Sequence, residues 1–178
     1  MQQIFLIRDE LCRGTGIANC YLKPSNANDQ SITEDTNQTI TITQSTYDEW
    51  FEDGLASVKI KQNATVYLKG TFNNVNFTFP KKVHVIGSNC VLNNATITLT
   101  TDAHSSTITN LKIKNNDKLV TRHGIEILDV NNCKVTNVAI ENQADYESLG
   151  IFLDGASGNE ISNCNITTTG DYINNGIL

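Results

Sequence analysis

Gly124, Gly150 and Gly176 recur at intervals of 26 residues, and the residues between them keep the same interval. Ile125 returns as Ile151 and Ile177, Ile127 as Leu153, Val135 as Ile161, Asn137 as Asn163, Val138 as Cys164, Ile140 as Ile166 and Tyr146 as Tyr172. A fixed period of this length marks a repeat architecture, in which one unit cannot bury its apolar face alone and must stack on its neighbour. Each unit reads as three short strands, at 124–129, 133–136 and 138–141, with aliphatic residues on one side of the alternation. Asn137 falls in the bend between the last two strands. Asn tolerates positive φ there, and its side chain can bond the Asn one unit away. The stretch from Asn142 to Leu149 reads as a long turn.

These features predict an all-β fold, a right-handed parallel β-helix solenoid, rising about 4.8 Å per coil with stacked Ile, Val and Leu in a dry interior. The asparagine series, followed backward from Asn163 and Asn137 to Asn110, continues at tighter intervals through Asn94 and Asn74. The chain stops at Leu178 just after the third Gly-Ile, which reads as a coil begun and left open, the front piece of a longer protein.

Composition supports many short strands. The chain holds 23 Asn and 21 Thr, with only 18% charged residues. Thr suits strands and Asn suits tight corners. The net charge is −6 without a basic cluster, so a nucleic-acid partner is not expected. Five cysteines (Cys12, Cys20, Cys90, Cys133 and Cys164) show no C-x-x-C spacing. They indicate neither a metal site nor a disulfide framework. No cofactor is expected.

The chain divides into an irregular leader (1–30), an edge strand and capping helix (31–57) and the repeating coils (58–178). In the leader, the apolar run Ile4–Ile7 ends at Arg8, too short for a secretion signal, and no segment is long enough to span a membrane. Ile40 and Ile42 alternate, which predicts one edge strand. Tyr47, Trp50, Phe51 and Leu55 fall at helical spacing. Thr46 with Glu49 makes a capping box, and Gly54 follows as a stop. The aromatic face of this short N-terminal helix is expected to cover the open end of the strand stack, with Trp50 as its largest buried side chain.

The pattern G-I-x-[IL] followed by x-V-T-N-V-x-I or x-I-S-N-C-x-I resembles the repeats of pectate-lyase-like parallel β-helix proteins. The stretches I-T-I-T at 40–43, S-T-Y-D-E-W-F at 45–51, G-T-F-N-N-V-N-F-T-F at 70–79 and V-H-V-I-G at 83–87 look like the start of adhesin-like surface proteins of methanogenic archaea. The resemblance covers residues 38–178. It implies an extracellular or cell-surface location and, as partners, surface glycans or proteins.

Two groups of candidate residues follow. Phe152, facing outward, with Tyr146 and Tyr172 repeating in the turn, is a candidate glycan-stacking platform. Five N-x-T sequons, at Asn37, Asn63, Asn76, Asn94 and Asn165, are candidate N-glycosylation sites. The stretch H-G-I at 123–125 is similar to the G-H-G strand of polygalacturonases. The N-T-D and D-D motifs that would supply the paired carboxylates of a glycosidase do not accompany it, nor do the basic R-I-K motif or the acidic cluster of a calcium-dependent lyase. Arg122, His123, Glu126 and Asp129 therefore read as solvated strand and turn residues, and no catalytic or metal-ligating residue is assigned.

The leading expectation is a non-enzymatic, adhesin-like surface scaffold. The alternatives are the N-terminal part of a polysaccharide lyase or hydrolase, and a structural stalk or envelope component.

Overall fold

A computed structural model describes residues 38–116 and 121–178. The leader and the Asn37 sequon lie outside the described residues.

The described chain is almost entirely strand and forms two seven-stranded sheets. Numbered along the chain, the first sheet holds β1 (Thr39–Ile42), β4 (Ala64–Asn73), β6 (Val83–Asn93), β8 (Thr107–Asn115), β10 (Lys134–Gln143), β12 (Glu160–Ser162) and β13 (Asn165–Thr169). The second holds β2 (Phe51–Glu52), β3 (Leu55–Ala56), β5 (Phe77–Lys81), β7 (Ile97–Asp102), β9 (Thr121–Leu128), β11 (Glu147–Asp154) and β14 (Ile173–Ile177). From β4 to β12 the chain passes from one sheet to the other and back, and each strand lies parallel to the strand of the same sheet that preceded it; β12 and β13 follow each other in the first sheet and both pair with β10, and β14 pairs with β11. The all-β expectation holds.

The register explains the repeat. Ile125 pairs with Ile151 and Ile151 with Ile177, Val135 with Ile161, and Ile140 with Ile166. Inward Ile, Leu, Val and Phe from both sheets join one core, where Val66, Leu92, Ile113, Ile125 and Ile127 are fully buried. Each such side chain contributes about 1.5–3 kcal/mol relative to exposure.

Two of the three recurring glycines, Gly124 and Gly150, have a steric reason. A Cβ on Gly150 would stand 2.2 Å from Ile166 Cγ2 and 2.5 Å from the carbonyl oxygen of Gly176. A Cβ on Gly124 would meet Ile140 Cγ2 at 2.8 Å. The two sheets approach so closely here that only a residue without a side chain fits.

The asparagine bend also holds. Asn110, Asn137 and Asn163 all have positive φ (60, 55 and 52°), and Asn137 Nδ2 donates to Asn110 Oδ1 at 2.6 Å. The backward extension is different. Asn74 and Asn94 form a separate ladder, bonded to each other at 3.1 Å, after β4 and β6. The bend of Asn110 is met in β6 by the bulged stretch Gly87–Asn89, because β6 carries two more residues than β8 between its paired positions. The long turn is also shorter than expected. β10 runs to Gln143 and β11 starts at Glu147.

The predicted N-terminal helix is absent. A single 3₁₀ segment, Gln44–Glu49, is followed at once by the antiparallel hairpin β2–β3. The cap pairs Thr43 with Thr46, not Thr46 with Glu49. Asp53 and Gly54 have positive φ (48 and 84°) and make the hairpin turn.

The physical reason is that a short helix is marginal, whereas the hairpin lets Leu55 pair with Thr78 of β5 and so covers that edge of the second sheet. Tyr47 stacks on Phe51 (4.9 Å, 6°), and both meet Phe77 edge-on. The helical spacing did identify two neighbours, but Leu55 is exposed and Trp50 only half-buried. Phe51, not Trp50, is the buried anchor. Burial and the nearby Asp48 push the Tyr47 hydroxyl up to about 12, and it donates to the Asn76 carbonyl. Edge strand β1 is present as expected, with Ile40 and Ile42 inward.

Candidate functional site

Strands β9 and β11 set the candidate residues side by side. Alternation turns Ile125 and Ile127 into the core and Glu126 outward, where it sits between Thr98 of β7 and Phe152 of β11. Thr98 Oγ1 donates to Glu126 Oε2 at 2.8 Å, and His123 Nδ1 lies 2.8 Å from Glu126 Oε1. A neutral ring therefore carries its proton on Nδ1. The hydrogen bond from His123 holds the Glu126 carboxyl below the usual carboxylate range, against burial, with Thr98 and Arg122 adding to the effect. The other ring nitrogen, Nε2, is closed off from solvent, with Glu147 Oε1 3.9 Å away. Phe152 lies over the imidazole (4.9 Å, tilted 43°).

These residues differ from the expectation of a solvated strand. Arg122 is buried, and His123 and Glu126 are partly buried and bonded to each other. Alternation alone cannot reveal this, because the covering groups come from other turns of the chain. Phe152 does face outward, but the imidazole occupies part of its ring. Tyr146 and Tyr172 stack on each other at 4.7 Å and 7°, and they remain 46% and 71% exposed. The repeat position brings the tyrosines together as expected. Their facing surfaces are used up on one another, leaving the edges and outer faces for a ligand.

The sequons occupy different settings. Asn63 lies in a turn with φ 62°. Asn76 is exposed, but its Oδ1 accepts the Thr96 amide. Asn94 is tied into the ladder with Asn74. Asn165 is exposed as the first residue of β13.

A polar network in the interior escaped the sequence reading. Asn115 and Asn142 are nearly fully buried and bonded to each other at 2.8 Å. Asn115 Nδ2 also reaches the Ala95 carbonyl, and its Oδ1 accepts the Ala95 amide. Asn142 Nδ2 reaches the carbonyls of Arg122 (2.6 Å) and Leu149 (3.0 Å), and Ser148 Oγ donates to the Asn142 carbonyl. A signal existed. Asn115 follows Leu111 and Ile113, and Asn142 follows Val138 and Ile140, in the inward phase of the alternation.

Comparison with known protein families, characterised proteins and solved structures finds no match.

Proposed function

We propose that the two sheets are the faces of a right-handed parallel β-helix solenoid, and that this solenoid is a non-enzymatic, adhesin-like scaffold at the cell surface that binds glycans. Alternate passage of the chain between two parallel sheets, in a 26-residue register through the last coils, supports the solenoid. The observation that carries the binding reading is the exposed Tyr146–Tyr172 stack. Aromatic rings held rigid beside a flat strand surface offer apolar faces to sugar rings at little entropic cost.

The His123–Glu126 pair favours a scaffold over a hydrolase or lyase. A general base must reach its proton directly or through one water. Here Nε2 is closed off from solvent and Nδ1 is engaged by Glu126. Both residues lie on β9, and the bond from Thr98 to Glu126 ties that strand to β7. Among the described residues no helix is long and apolar enough to cross a membrane.

A glycan array probed with the purified chain tests the reading. We expect reproducible binding of at least one glycan class, lowered at least about tenfold by Tyr172→Ala, which corresponds to about 1.4 kcal/mol. An array without signal, or signals untouched by both Tyr172→Ala and Phe152→Ala, would leave the stalk reading in place.

A further inference from the structure

A groove of about 600 Å³ runs along the row of asparagine bends on the first sheet. Its floor includes Leu111 and Val138, and Asn110, Asn137 and Asn163 succeed one another along it. Neighbouring rungs are about 4.8 Å apart, the spacing of paired strands. The three amides are solvent-exposed. An amide side chain offers two N–H donors and two lone pairs. The bond from Asn137 to Asn110 uses one donor of the first and one acceptor of the second, so hydrogen-bonding capacity remains at every rung. We infer that this groove is a second binding site, distinct from the tyrosine stack, for a neutral oligosaccharide lying along the stacking direction with its hydroxyls on the asparagine amides.

Charge argues for a neutral chain. The cation lining the groove, Lys112, is neutralised by Glu141 on the adjacent strand. A polyuronate would find no unpaired positive partner for its carboxylates. Backbone pairing argues against a peptide. β6, β8 and β10 each have a partner on both sides, so an added strand has no open edge to join along most of the groove. The backbone is closely packed at the Asn110 bend, where a Cβ on Gly87 would fall 2.1 Å from the Asn110 carbonyl oxygen, and the bond from Asn137 holds the Asn110 amide in place.

The test is a titration of the isotope-labelled chain, followed by its side-chain amide resonances, with cellotetraose, mannotetraose and tetragalacturonate in turn. We expect saturable shifts at Asn110, Asn137 and Asn163 with a neutral tetrasaccharide, at a Kd of about 1 mM or tighter, and none with tetragalacturonate. Ala139→Glu, which places a charged side chain in the groove, and Asn137→Gly, which removes one amide where glycine accepts the positive φ, should each weaken binding at least about tenfold. The inference is overturned if neither neutral probe shifts these amides by about 10 mM. It is equally overturned if tetragalacturonate binds as well, if the shifts fall only around Tyr146 and Tyr172, or if both folded variants bind like the parent chain. The last-but-one result would leave the tyrosine site standing alone.

Discussion

Asn137 and Asn142 lie on the same strand, and each is bonded to an asparagine 27 residues earlier. Asn137 is exposed and turns the backbone through positive φ. Asn142 is buried in extended strand and satisfies carbonyls that water cannot reach. One ladder works through the conformation of the backbone, the other through hydrogen bonds whose loss strands buried polar groups. Losing an exposed side-chain bond returns its partners to water, whereas losing a buried one leaves them unpaired at about 1–3 kcal/mol each. The inner pair should therefore dominate stability, although the two ladders share residue type and spacing.

The largest expected effect follows from the inner ladder. Asn142→Ala deprives the Arg122 and Leu149 carbonyls and the Asn115 amide of a partner, and should lower unfolding stability by about 3 kcal/mol or more in urea titration. A loss no larger than that of Asn137→Ala would break the contrast.

The outer ladder predicts an order between two variants. Asn137→Ala must hold an alanine at positive φ and should lose about 1–2 kcal/mol. Asn137→Gly removes the same side-chain bond but accepts the backbone conformation, and should lose less than about 1 kcal/mol. Equal losses would mean that the bond to Asn110, and not the bend, is what the residue supplies.

The outer ladder was legible because positive φ at a recurring Asn is a local property of the residue. The aliphatic alternation was legible for a similar reason, since Ile125, Ile127, Val135 and Ile140 obey a period of two. The inner ladder obeyed that alternation as well, but Asn142, two residues after Ile140, read as the start of the long turn. Only the position of β11 shows that Asn142 faces its backbone. The 3₁₀ segment and hairpin were mistaken for a helix because Tyr47 and Phe51 are neighbours in either arrangement. What separates the two is the pairing of Leu55 with Thr78, a contact between distant parts of the sequence. The burial of the His123–Glu126 pair was hidden for the same reason, since Thr98 of β7 and Phe152 of β11 cover it from the neighbouring strands.

That pair lies between the two ladders in burial and yields the smallest effect, one that appears only against pH. Glu126 is held below the ordinary value of about 4.3 chiefly by the bond from His123. A carboxylate depressed in the folded state stabilises it fully above the unfolded value, and that stabilisation is lost as pH falls through the folded value. The difference in unfolding stability between the parent chain and Glu126→Gln should therefore be under about 1 kcal/mol near pH 5, as for a partly exposed charge-assisted bond, and should shrink below about pH 4. Measured at the two ends of this range, an unchanged difference would mean that the carboxylate is not the charged partner of His123, and that the pair belongs with the solvated outer ladder.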